Sequence, residues 1–317
     1  MNLEDHPAEG PAADHAAANQ AALETLEFRV RAILPEQYQD CYDEVKPVSM
    51  GSAGLKFGND GRVAWDRMWG SFCDLAMAGG PPHKGTLLEP ASQASIDAEP
   101  DRYTSVVDEI CRGVSMVTDL VAEASVHAGW ISVDCVNRGT AAWLLRAITV
   151  ENVSARCEGA ILYLPAGPSY RLEKEIKNVI TVIAKTSHYW FEHTSLAQRR
   201  NIGNLFVAME EESPLLQPAF LGSHSQSESH QTIRQSMVES LARLTRLRAS
   251  NHAYADWFGI EHPHVPSAIW MMRALVASNV LSRREGTVVF VPLDPNGSMV
   301  VQRLQRLHSL AKIRDVL

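Results

Sequence analysis

At 317 residues and 45 % hydrophobic, the chain is long enough to bury more than one core, and its composition is that of a water-soluble protein. A net charge of −8 with a pI near 5.8 excludes a chain that is basic throughout, and five scattered cysteines without a C-x-x-C pair argue against a disulfide framework or a cysteine-rich zinc site. The longest apolar run, AIWMMRALVASNVL, carries Arg273 and falls short of the roughly 20 residues that cross a bilayer, so a cytoplasmic protein with no membrane partner is expected.

The opening MNLEDHPAEGPAADHAAANQ has no basic n-region and no apolar h-region, which makes residues 1–21 an expected irregular leader rather than a secretory signal. ALETLEFRVRAI follows as a helix closed by Pro35, and GNDG marks a turn between apolar stretches. A helix is then expected from about Asp66, with Met68, Trp69, Phe72 and Leu75 facing inward, and it stops at GGPPHKGT, residues 79–86. A phosphate cradle leads into a helix N-terminus. This stretch follows a helix instead, so it reads as a rigid stop that holds His83 and Lys84 in place as ligand-binding side chains.

From residue 103 the pattern becomes regular. YTSVVDEICRGVSMVTDLV is an amphipathic helix with Cys111 on its apolar face, WISVDCV a strand, TAAWLLRAITVEN a helix, ARCEGAILYLP a longer strand, and a helix begins near Leu172. Such alternation predicts an α/β or α+β layer domain over 22–210 for ligand binding or dimerisation. No internal repeat at a fixed period is evident. In LEKEIKNVITVIAKTSHYWFEHT the polar residues gather on one stripe, so Lys177, Asn178, Thr181, Lys185 and His188 are candidates to line a cleft for a small anionic metabolite. If the protein is an enzyme, Lys185, His188 and Glu192 are the acid–base candidates. No nucleophile, Walker or dinucleotide motif accompanies them, and no cofactor or metal is expected.

The stretch EEESPLLQPAFLGSHSQSESHQT, residues 210–232, reads as a linker over 211–232, in which His224 and His230 are solvated rather than metal-bound. Charge changes sign across it: residues 230–317 carry eleven basic and six acidic side chains, about +5, which leaves about −13 for the rest. The segment after the linker contains a helix, TIRQSMVESLARLTRLRASN, then YADWFGIEHPHVPSAIWMMRALVASNVLSRREGTVVFVPLD. His252, His262 and His264 lie in it without the spacing of a zinc set.

This C-terminal segment resembles a winged helix-turn-helix domain. WFGI stands where that family ends its second helix, EHPHV is the turn, PSAIWMMRALVAS the recognition helix, Asn279 its left-handed cap, and VLSRREGTVVFVP the two wing strands around Glu-Gly. The resemblance covers about 65 residues, and implies a small winged-helix-like domain over 233–317 that binds double-stranded DNA. It assigns Ser267, Trp270 and Arg273 to the duplex face and Arg243, Arg246, Arg283 and Arg284 to phosphates. The Trp and Met content of the same helix offers a second reading, a protein–protein or dimerisation contact, and a helical subdomain of an enzyme is the third. The expected protein is a homodimeric, ligand-responsive transcriptional regulator. The alternative is a metabolic enzyme acting on a small anionic substrate.

Overall fold

The computed structural model describes residues 11–40, 54–218, 228–252, 254–293 and 299–317. Helix α1 (Pro11–Ile33) is followed by the short α2 (Glu36–Gln39), so the expected irregular leader is helical from Pro11, and residues 1–10 lie outside the described residues. Phe57 bridges Val63 around the GNDG turn. Where a helix from Asp66 was expected there are two single 3-10 turns, Trp65–Arg67 and Ala76–Ala78, separated by irregular chain.

Then come α3 (Gln93–Ala98), α4 (Pro100–Thr118), β1 (Val121–Ala124), β2 (Trp130–Asp134), α5 (Arg138–Val150), β3 (Arg156–Glu158) and β4 (Ile161–Pro165). A π-helical turn, Leu172–Ile176, opens α6 (Lys177–Glu192), and α7 (Leu196–Glu212) follows. The remainder is α8 (Glu228–Thr245), β5 (Arg248–Ala249), β6 (Trp257–Glu261), α9 (Val265–Val276), β7 (Arg283–Glu285), β8 (Val288–Pro292) and α10 (Met299–Ile313). Of the expected linker, residues 219–227 lie outside the described residues.

The strands form two antiparallel four-stranded sheets with the orders β1-β2-β4-β3 and β5-β6-β8-β7. The molecule is thus mixed helix and sheet, of the α+β kind. Each sheet carries its apolar alternation inward: Ile131, Val133, Leu162 and Leu164 are buried in the first, Ile260, Val289 and Val291 in the second. Local chemistry starts the helices. Pro100 occupies the first turn of α4, Asn137 caps α5 by accepting from the Thr140 amide, and His264 and Ser267 form a reciprocal box at the start of α9.

The identical strand orders expose a duplication, which corrects the expectation of no repeat. Residues 118–166 align without a gap to 245–293 at an offset of 127, matching Trp130 to Trp257, Trp143 to Trp270, Arg146 to Arg273, Asn152 to Asn279 and Glu158-Gly159 to Glu285-Gly286. Backbone conformation repeats with it: Asp119 and Arg246, Asn152 and Asn279, Gly159 and Gly286 all have positive φ. So does the pairing upstream of each unit. Leu88 bridges Val153 and Leu216 bridges Val280 in parallel, and each asparagine side-chain amide donates to a preceding carbonyl, Asn152 to Lys84 and Asn279 to Ser213. Asparagine at the left-handed position after the helix meets two needs: it tolerates positive φ and ties the incoming strand to the helix end.

Buried arginines join the two repeats. Arg146, lowered to about 10 by complete burial, donates to Asn279 Oδ1 at 2.6 Å and stacks over Phe206. From the second repeat Arg273 donates to the carbonyls of Met77 and Ala78, and Arg283 to Asn152 Oδ1 at 3.0 Å.

Burial also sets an acid limit on the fold. His262 is 5 % exposed, with Nδ1 3.2 Å from the Ile260 carbonyl and with His308 and His264 nearby, and desolvation pushes it down to about 4. Its folded value lies below the ordinary 6.5, so its contribution is complete above pH 6.5 and disappears as pH falls toward 4. The expected loss is about 3 kcal/mol over that window. His83 and His308 are shifted the same way by burial. Urea unfolding at pH 7 and pH 4.5 measures the loss. In His262→Asn the difference should shrink, and an unchanged difference would clear His262 as its source.

Candidate functional site

The polar stripe of α6 does not face one cleft; it divides three ways. At the N-terminal end, Asn178 Oδ1 meets His83 Nε2 at 3.2 Å. In the middle, Thr181 is buried and donates to the Lys177 carbonyl at 2.6 Å, while Lys177 itself is half-buried. Lys185 is 0 % exposed and reaches Glu151, also 0 % exposed, at 2.8 Å, with Cys73 Sγ at 3.2 Å. Only the C-terminal end, His188 and Glu192, opens outward.

The Lys185–Glu151 pair holds the glycine–proline stretch. Glu151 Oε1 also accepts from the Ala76 amide at 2.9 Å, and Oε2 from the His83 amide at 2.8 Å. Burial alone would lower the Lys185 pKa, but the Glu151 carboxylate and the Cys73 sulfur reverse this and raise it. Gly79 adopts φ 103°, and a Cβ on Gly80 would lie 2.9 Å from the Asp74 carbonyl, so the turn needs both glycines. Arg284 donates to the Gly80 carbonyl at 3.2 Å, and the Lys84 amide to that of Glu151. The loop is therefore a clamped structural turn. Lys185 and Thr181, expected to touch a ligand or take part in catalysis, are buried; His83 joins the loop to Asn178 through its ring, and Lys84 takes part through its backbone.

A cleft of about 570 Å³ lies further along α6, between the irregular segment Trp69–Phe72, the end of α4 and the outward residues of α6. Trp69 and Phe72 stack at 5.9 Å, and Phe72 leans on the His188 ring at 5.3 Å. His188 Nδ1 sits 3.0 Å from Glu192 Oε2, and its Nε2 3.0 Å from His193 Nε2. Phe191, Val117 and Leu120 complete apolar walls, and Asp119 stands at the mouth.

Two of the lining residues each hold a buried polar atom, shielded from solvent, that has no hydrogen-bond partner among the described residues: Trp69 Nε1 and Ser187 Oγ. Ser187 is 3 % exposed and does not bond back to its own helix. Leaving a buried donor or acceptor unmade costs about 1–3 kcal/mol. Across the mouth, Val136 lies at φ 68° while 80 % exposed, which strains a β-branched residue by about 1–2 kcal/mol. Its amide is held by Asp134 Oδ1 at 2.9 Å.

Most of the residues assigned to DNA are buried in the structure. WFGI is strand β6, not the end of a helix, so no helix precedes the EHPHV turn. Ser267, Arg273, Arg283 and Arg284 are buried, Trp270 is half-buried, and only Arg243 and Arg246 are exposed. His264 Nδ1 accepts from the Ser267 amide and caps α9. Among the described residues no group of histidine, cysteine and carboxylate side chains could hold a metal ion, and no helix is long and apolar enough to cross a membrane.

The cleft was not legible in advance. Trp69 and Phe72 were expected inside a helix, and Ser187 was an unremarked polar residue on an apolar face. Compared with protein-family models, curated proteins and solved structures, the chain matches none.

Proposed function

We propose that the protein binds a small, planar organic molecule in the cleft beside His188. The observation that carries this reading is a cavity walled by Trp69, Phe72, His188 and Phe191, two of whose lining residues, Trp69 and Ser187, each keep a polar atom without a partner just behind its surface. Its volume of about 570 Å³ lies within the range of about 300–1,000 Å³ in which proteins hold small molecules. The ring would stack against Trp69 and Phe72, and a small rotation of the Trp69 and Ser187 side chains would present the indole N–H and the serine hydroxyl to polar groups of the ligand. Asp119 and Glu192 at the mouth favour a neutral or cationic ligand over the anionic one that the lysines suggested. Binding rather than turnover is proposed, since Lys185 is sealed away from His188 and Glu192. The proposal does not extend to DNA, because Arg273, Arg283 and Arg284 are buried and only Arg243 and Arg246 of the assigned arginines are exposed.

The test is a panel of planar heteroaromatic compounds, indole and quinoline with their amino and carboxylate derivatives, followed by Trp fluorescence and thermal shift. Ser187→Ala should raise the stability of the unliganded protein by roughly 1 kcal/mol, by removing an unmade hydrogen bond. The same change should weaken the best ligand about fivefold. Trp69→Phe should weaken it comparably while keeping the wall. Opposite signs for stability and affinity at Ser187 distinguish a binding group from a packing residue. A destabilised Ser187→Ala protein with unaltered affinity would sink the idea.

A further inference from the structure

The duplication points to a second site, independent of the cleft beside His188. In the first repeat the residue after α5 is Glu151, whose carboxylate receives Lys185 from α6 and two loop amides. In the second repeat the corresponding residue is Ser278, and Ser213 takes the place of Lys84 in accepting from the asparagine amide. The carboxylate is gone, and so is the glycine–proline loop: the chain before Ser213 is α7.

The corresponding space is open. A groove of about 700 Å³ runs between α1, the end of α7 and α10, bordered by Ser213 and Ser278. α10, which packs on α8 and α9 as α6 does on α4 and α5, brings two cations to it, Arg303 and Arg306, and α1 adds Arg29. Among the described lining residues one carboxylate opposes them, Glu212, which is ion-paired with Arg29 and held below the usual carboxylate range by that hydrogen bond. Arg303 is fixed in place by donating to the carbonyls of Ser278, Asn279 and Pro214. The floor is apolar, with Leu26, Met209 and Leu307 buried beneath it.

We infer that this groove binds a free organic acid with an extended apolar body. Its carboxylate lies toward Arg306, near Ser278 where the first repeat has Glu151, and its body lies on the floor between α1 and α10. With Arg29 paired to Glu212, Arg306 is left facing the groove without a carboxylate among the described lining residues, in a chain whose net charge is −8, so the attraction is local and depends on that side chain.

Isothermal calorimetry of the full chain with dodecanoate tests this, with dodecyltrimethylammonium and dodecanol as charge-reversed and neutral probes. Dodecanoate should bind, the ammonium should not, and dodecanol should bind at least tenfold more weakly. Arg306→Gln should weaken dodecanoate about tenfold, the scale of a lost charge-assisted hydrogen bond. Ala21→Trp, on the exposed α1 wall, should abolish binding by filling the groove. Neither change should alter ligands of the His188 cleft. Dodecanoate binding that survives both substitutions, equal binding of the ammonium probe, or no heat with millimolar dodecanoate would each overturn the inference. Should Ala21→Trp fail to fold, Arg306→Gln decides alone.

Discussion

Lys185→Met is expected to lower the stability of the protein by about 3–5 kcal/mol, the scale for breaking a buried ion pair by removing one partner. Methionine nearly matches the volume of the lysine stem, so the loss comes from charge and not from a cavity. The Glu151 carboxylate would remain 0 % exposed, with the Ala76 and His83 amides as its remaining donors. Because those amides belong to the two ends of the glycine–proline stretch, the damage should be local as well as global. Amide hydrogen exchange at Ala76 and His83 is expected to accelerate ahead of exchange in the two sheets.

Replacing both partners provides the control. In the double variant Lys185→Met, Glu151→Gln no charge is stranded, and much of the loss should be recovered. The effect should also be flat across neutral pH. Lys185 is raised above its ordinary value by Glu151 and Cys73, so its contribution is complete below about pH 10.5 and falls only as the solution passes that raised value. A Lys185→Met loss below 1 kcal/mol, or a double variant worse than the single one, would show that the pair contributes little.

The same pair illustrates what the sequence discloses. Period-3.6 patterning locates α4, α5 and α6, because long helices with one buried face write their geometry into residue order. It cannot say which polar residue on a largely buried helix meets a partner and which meets water. Lys185 and His188 are one turn apart, yet the first is locked to Glu151 and the second opens to a cleft. Partner identity is long-range information.

The strands were harder. ARCEGAILYLP reads as one strand, although its Glu158-Gly159 turn matches the Glu285-Gly286 turn that was legible between the wing strands. WISVDCV and WFGIEHP occupy the same place in the two repeats, yet only the first reads as a strand, because the second was fitted to a helix-turn-helix pattern. The duplication itself is carried by a few turn, cap and core residues scattered over two sheets. Arginine misled for a related reason: a guanidinium that caps buried carbonyls and one that meets phosphate are the same residue in sequence.

Arg283 makes that point measurable. Arg283→Met is expected to destabilise the protein by about 3–5 kcal/mol, as for any buried charge pair stripped of one member. Its Nη1 donates to Asn152 Oδ1 at 3.0 Å and to Glu285 Oε1 at 2.6 Å, linking the end of α5 to the second sheet. Its guanidinium carbon stands 4.2 Å from the Phe290 ring centre, 4.4 Å from that of Tyr254 and 5.1 Å from that of Trp257. Removing it strands the Glu285 carboxylate, although the Tyr254 hydroxyl still donates to it at 2.6 Å. Arg283→Lys should recover less than half of the loss, because a point charge cannot hold a planar stack and two acceptors together. A surface arginine aimed at phosphate would show the reverse pattern: either change would leave stability within about 0.5 kcal/mol, and lysine would serve nearly as well. Denaturant titration of the two variants therefore separates a clamp between the repeats from a residue held out to solvent.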